Sequence, residues 1–337
     1  MRQITILATL LVAALVGSYL EWTKGSTDHA KDEQVMVYRA SPDDLVSVDY
    51  KQPDNDVLLE QKSDAKGKYV WVTITEQVEP PATDDKGADD EGADAPPAPA
   101  PKTQTVSFKG NDAAEKAWKD FAPLYALREL KPDPAVGDAA FGFDKPTGHI
   151  SVKKHDAQID LVMGGQTYGA RDKYVKYDKR IFLLDDKTLR PLQYAKTRLV
   201  DRVLQPIAES KTDTVEVTWK GQKATFVQKN KDDRSAAFWA RSDKPTEAAP
   251  DVGTWLGKVM RMRIQDYDVP ADAASLQPVF SFVVSDGKDS WSVDVLKSGG
   301  GNPEYYARSE YSRGVVHLTE SLATEAVADL SSMFPNK

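Results

Sequence analysis

The sequence predicts an α+β fold made of two tandem, duplicated units, each a mainly antiparallel β-sheet of hairpins packed by about two helices, after an N-terminal transmembrane anchor. Three observations predict it. Val46-Ser47-Val48, Leu58 to Lys62 and Tyr69 to Val72 are answered by Val215-Glu216-Val217, Phe226 to Lys229 and Phe238 to Arg241. Tyr168-Gly169-Ala170-Arg171 with Tyr174 is answered by Tyr306-Ala307-Arg308 with Tyr311, a tyrosine falling three residues after the arginine each time. Both halves then run into an apolar strand and a helix, and self-similarity of this kind settles architecture before chemistry.

The elements follow in order. Met1 and Arg2 precede an uncharged run from Ile4 to Leu20, closed by Glu21. As a helix this run covers about 25 Å, slightly short of a bilayer core of about 30 Å, and Tyr19 and Trp22 would serve as interfacial anchors. The alternative is a cleaved secretory signal with Val16 and Ser18 before the cut. Either reading exports the chain beyond residue 22, because Arg2 keeps the amino terminus in the cytoplasm. Residues 1–22 are thus anchor or signal, 23–40 a polar stalk, 41–207 the first unit and 208–337 the second. Within the first unit, residues 77–105 collapse into Pro, Ala, Asp and Gly and predict a disordered, partly extended acidic insertion. The loop Ser242 to Pro250 takes its place in the second unit.

Asp112 with Glu115 is a helix-start signature, and Ala114, Trp118, Phe121, Tyr125 and Arg128 continue an apolar stripe that Pro123 should kink or interrupt. Residues 251–264 occupy the same slot in the second unit. Val279 to Val284 and Trp291 to Leu296, joined through Asp286-Gly287, give the clearest hairpin, with a primed turn expected at Asp-Gly. His149 to Val162 is its counterpart. Strands are expected at about 166–176 with 180–184 and at 304–311 with 314–318, and closing helices at about 186–204 and 320–334.

With no cysteine, disulfides, thiolate nucleophiles and cysteine metal sites are excluded. The net charge of −8 is concentrated between Glu76 and Asp94, where eight acids face Lys86 alone. The remainder is close to neutral, which argues against nucleic acid as a partner. His149 and His155 are about 20 Å apart along a strand and cannot share an ion, and Asp84-Asp85 with Asp89-Asp90-Glu91 lack the spacing of a calcium loop. Ser63-x-x-Lys66 and Ser151-x-x-Lys154 match a nucleophile motif, but one falls in a turn and the other on a strand, where the lysine cannot serve the serine. Gly299-Gly300-Gly301 lacks the lysine and helix of a phosphate loop, and Gly164-Gly165 reads as its equivalent strand connection. No catalytic residue, cofactor or metal is therefore expected, and the chain reads as a non-enzyme. The residues that stand out are Tyr168, Arg171, Tyr174, Tyr306, Arg308 and Tyr311, a possible partner surface, since tyrosine and arginine favour interface hot spots; an exposed strand whose arginine stacks on tyrosine is the plainer alternative. Between Arg171 and Arg202, ten basic residues stand against five acids, an excess suited to the acidic insertion or to lipid head groups.

Four segments resemble a bacterial domain-of-unknown-function family, numbered 4340. Leu124 to Leu130 resembles its helix ending, and Phe141-Gly142-Phe143-Asp144-Lys145-Pro146 its aromatic-Gly-Leu-Asp-x-Pro turn, with Phe143 in place of the leucine. Tyr168 to Tyr174 resembles its tyrosine-rich strand, and Arg198 to Leu204 its Leu-Arg-Asp helix. The resemblance implies a periplasm-facing scaffold or accessory subunit near an ABC transporter of the gliding-motility type, held in the bacterial inner membrane by one span, with integral membrane proteins, ABC transporter subunits among them, as partners. It supplies no catalytic residues. A periplasmic ligand-binding module for a small anion or glycan is the alternative.

Overall fold

The computed structural model describes residues 34–78, 102–133, 135–267, 269, 273–301 and 303–334. In chain order it runs β1 Val35–Tyr38, β2 Leu45–Lys51, β3 Asn55–Asp64, β4 Gly67–Val78 and β5 Lys102–Lys109, then helix α1 Asp112–Asp120. Next come β6 Leu124–Ala126, β7 Arg128–Leu130, β8 Gly148–Lys154, β9 Gln158–Gln166, β10 Lys173–Tyr177 and β11 Arg180–Leu184, then α2 Asp186–Gln193 and the short α3 Ala195–Arg198. The rest is β12 Thr214–Trp219, β13 Gln222–Lys229, β14 Phe238–Arg241, α4 Pro250–Val259, β15 Ile264–Asp266, β16 Gln277–Ser285, β17 Ser290–Lys297, β18 Tyr305–Ser309, β19 Gly314–Leu318 and α5 Glu320–Met333. The protein is an α+β molecule dominated by antiparallel sheets. It divides into two compact units, one of Met1–Pro53 with Ala117–Arg190, the other of Asp54–Lys116 with Pro191–Lys337.

Strand order is 5-4-3-2-8-9-10-11-7 in one sheet and 14-13-12-16-17-18-19-15 in the other, with β1 and β6 forming a separate ribbon. Without β5 the two orders correspond strand for strand. Each begins with a three-strand meander, sends out a helix (α1 or α4), returns through a three-residue edge strand (β7 or β15), adds a four-strand meander and closes with a helix (α2 or α5). Period-2 patterning explains the strands: β16 buries Phe280, Phe282 and Val284 and turns the residues between them outward. In the larger unit Trp255 of α4 is fully buried and donates its indole N–H to Ala326 O of α5 at 2.9 Å, pinning one helix to the other. Burying such an aromatic with its polar edge satisfied contributes both area and orientation.

Several expected boundaries change. The helix expected from Asp112 through Arg128 ends at Asp120, and Leu124–Ala126 and Arg128–Leu130 are strands, because Pro123 offers no N–H to continue the ladder. The helix expected over 186–204 is α2 and α3 only, with residues 199–204 outside it, so neither Leu124 to Leu130 nor Arg198 to Leu204 is a continuous helix. The helix expected over 251–264 is Pro250–Val259, and Ile264 begins β15. The Asp286-Gly287 turn is wider than a two-residue primed turn, since Ser285 pairs with Ser290. The Asp286 carboxylate accepts the N–H groups of Lys288 and Asp289 at 3.0 and 2.8 Å and holds it open.

Gly164-Gly165 is no connection but the interior of β9. A Cβ on Gly164 would lie 2.3 Å from Phe141 O, and one on Gly142 2.6 Å from Gly165 N. The glycine pair lets the Phe141-Gly142-Phe143 turn press onto the strand backbone. The ends of the expected insertion are strand, with Gln77 paired to Thr103 and Val78 to Lys102; residues 79–101 lie outside the described residues. So do 1–33, including the expected anchor. Among the described residues no helix is long and apolar enough to cross a membrane.

Candidate functional site

A dense polar construction in the larger unit surrounds the segment from Arg198 to Ile207. It begins where β5 ends. Gly110 N–H donates to Val70 O at 2.8 Å, and a Cβ on Gly110 would meet Ala114 Cβ at 2.4 Å, so only glycine lets the strand turn into α1 here. Asn111 then does two jobs. Its Oδ1 accepts the N–H groups of Ala113 and Ala114 at 2.9 and 3.2 Å, capping α1. Its Nδ2 donates to Arg198 O and Val200 O at 3.0 and 3.1 Å, while its backbone N–H donates to Leu199 O at 2.9 Å.

The segment is bonded on its other side as well. Ile264 N–H donates to Arg202 O at 3.0 Å, and the Arg202 guanidinium donates back to Ile264 O and Gln265 O at 3.0 and 2.6 Å. Ser309 Oγ donates to Leu204 O, and Tyr267 OH to Asp201 O at 2.7 Å. The connection is thus a strand-like piece held between β5 and β15, an arrangement that satisfies its backbone groups away from water.

At its centre Lys109 Nζ lies 2.8 Å from Asp201 Oδ2, with side chains only 8% and 10% exposed. The ammonium also donates to Gly110 O at 3.2 Å and sits 3.9 Å from the centre of the Tyr311 ring. Asp201 Oδ1 accepts Val203 N–H at 3.2 Å. Tyr311 hydrogen-bonds the Asp201 carboxylate, and burial first, then the Asp201 charge, pushes its phenol well above the ordinary tyrosine value. Tyr267 is raised by the same two causes. Beside this group lies a cavity of about 590 Å3 lined by Asn111, Asp112, Asp201, Leu204, Met260 and Tyr311 among others. With the ammonium, carboxylate and phenols all engaged, the chemistry here is that of a fixed joint with a recess beside it.

Of the six residues singled out from the sequence, Tyr168, Arg171 and Tyr174 lie in one unit and Tyr306, Arg308 and Tyr311 in the other. Tyr168, Gly169 and Arg171 lie in the loop between β9 and β10 and not on a strand. Tyr168 is fully exposed. Tyr174 packs edge-on against Phe141, with ring centres 5.2 Å apart. Tyr306 is buried on β18 and donates to Glu304, Tyr311 covers Lys109, and Arg308 is exposed. The Tyr-Ala-Arg pairing fails by register, because β10 begins at Lys173 whereas β18 already contains Tyr306 to Arg308.

Ser63 and Lys66 flank the β3–β4 turn, where Lys66 Nζ donates to Ser290 O, and Ser151 Oγ donates to Asp160. Neither serine meets its lysine. His317 lies 3.3 Å from Asp266. Among the described residues no group of three or more His, Cys, Asp or Glu is disposed to hold a metal ion. Lys109, Asn111 and Asp201 were missed in the sequence because the ion pair joins residues 92 positions apart; a lysine ending an alternating strand before Gly-Asn was the only local hint. No protein-family model, no curated protein and no solved structure matches this chain.

Proposed function

We propose that this chain is a duplicated, exported protein held in a bacterial inner membrane by residues 4–20, serving as a non-enzymatic scaffold or accessory subunit of an ABC-type transport or gliding-motility-like assembly. The observation that carries the scaffold reading is the doubly bonded connection. A buried ion pair, two phenols and Asn111 fix the segment between β5 and β15, which suits a part that must hold surfaces in a set geometry. The shared strand order supports duplication, and the exposed Tyr168 loop with Arg171 offers a partner contact. The transporter association rests on the four resembling segments. Purification of the full chain in mild detergent should bring down an integral membrane protein, and its gene should neighbour those of an ABC ATPase and permease. Recovery of the chain alone from membranes, with an isolated gene, would sink the reading.

A second reading is a ligand-binding module for a small anion or glycan, and of the two the cavity beside Asp201, lined by Asp112, Asp201 and Glu209 with Arg263, favours the uncharged glycan. Thermal stabilisation by such a compound, with no stable protein partner, would put it first.

A further inference from the structure

We propose that the β1–β6 ribbon is a membrane-contact face, with Met36 and Tyr125 resting in the lipid–water interface of the bilayer that holds the anchor. The inference rests on the anchored reading above and adds which surface of the smaller unit meets lipid.

Met36 and Tyr125 are direct cross-strand partners in the ribbon, so their side chains stand together on one face. Both are 40% exposed, while Val37, Tyr38, Leu124 and Ala126 beside them are buried. Tyr38 locks the ribbon from beneath, donating its phenol to Phe121 O at 2.7 Å. A thioether and a phenol side by side form a small amphipathic face of the kind that settles at headgroup level, with the tyrosine hydroxyl left wet. Arg39 and Arg128, close to the two strands in sequence, are exposed, as is Lys131. The exposed acids Asp43, Asp44 and Asp133 balance them, so the contact rests on the thioether and phenol and not on net charge.

Chain length selects lipid as the occupant. Val35 opens the ribbon thirteen positions after Trp22, the aromatic expected at the far end of the apolar run. That stretch reaches at most about 45 Å when fully extended, and any slack in it brings β1 closer to the bilayer. β1 is thus the first described element after the expected anchor, and the effective concentration of lipid surface there is high.

The absence of cysteine makes a site-directed test direct. Full-length Met36→Cys, Tyr125→Cys and Tyr168→Cys chains would be spin-labelled and reconstituted in phosphatidylethanolamine–phosphatidylglycerol vesicles. Relaxation by lipid-partitioning oxygen would then be compared with relaxation by a water-soluble nickel chelate, their ratio cancelling steric shielding. The expected result is a high oxygen-to-nickel ratio at positions 36 and 125 and a low, aqueous ratio at 168. If 36 and 125 give the aqueous ratio while the chain resists carbonate extraction, the contact face is overturned and the anchor stands. If carbonate releases the chain, the anchored reading and the contact face fall together.

Discussion

Lys109 and Asp201 show how much one buried pair can demand of its neighbours. Removing one partner strands the other charge away from water, so Lys109→Met should destabilise the protein by about 3–5 kcal/mol. Pairing it with Asp201→Leu should recover part of that loss, because a matched apolar pair leaves no orphan charge. Urea unfolding of the single and double variants checks both, and a single variant as stable as the parent would show the pair to be ornamental. A second residue-scale expectation concerns pH. Burial raises the phenols of Tyr38, Tyr267 and Tyr311, and the charges of Tyr177 for the first and Asp201 for the other two add to it. The unfolded phenols release protons from about pH 10 while the folded ones hold theirs, so the folded state binds more protons there and stability falls as pH rises. Below that range the contribution is fully present. Phenolate absorbance should show a late-titrating group of tyrosines that ionises together with unfolding, and Tyr311→Phe should make the alkaline fall in stability shallower.

At the scale of elements, the Phe141-Gly142-Phe143 turn and β9 are made for each other. Gly142 takes φ +74°, and its missing Cβ is the space in which the Gly165 backbone lies. Gly142→Ala should cost about 1–3 kcal/mol and loosen the Tyr174–Phe141 contact, visible as a lower melting temperature and faster amide exchange in β9. Unchanged exchange there would mean that the turn adjusts freely. The strands themselves were legible, since alternation in β3, β4, β16 and β17 is a local property of the chain. Helix ends were less so. The stripe through Trp118, Phe121 and Tyr125 keeps its period across Pro123, and only the pairing of β6 with β1 and of β7 with β11 shows that the chain has turned to strand. Tyr168 to Arg171 looked like a strand because it copies the letters of β18, yet it lies outside the ladder, which starts at Lys173.

The larger unit as a whole is discontinuous in sequence, taking Asp54–Lys116 along with Pro191–Lys337. The β3–β4 turn belongs to it through Arg313, whose Nε donates to Asp64 at 2.5 Å and whose guanidinium sits 4.7 Å from the Tyr69 ring and 5.5 Å from that of Trp291. A fragment of residues 208–337 alone would therefore lose Asp64 and Tyr69 from around Arg313 and the Arg202 bonds to β15. It should melt well below the full chain, and adding residues 54–116 and 191–207 should restore the difference. A fragment as stable as the full chain would contradict this account.

By itself the sequence determined the α+β class, the strand-rich halves, the lack of cysteine chemistry and the acidic tract, because composition and period-2 alternation act over a few neighbouring residues. Tertiary structure alone decided the two matching strand orders, the division into discontinuous units and the Lys109–Asp201 joint. Those depend on hydrogen bonds and charges that meet only after distant segments are brought side by side, and a buried pair 92 positions apart leaves no local periodicity from which to read it.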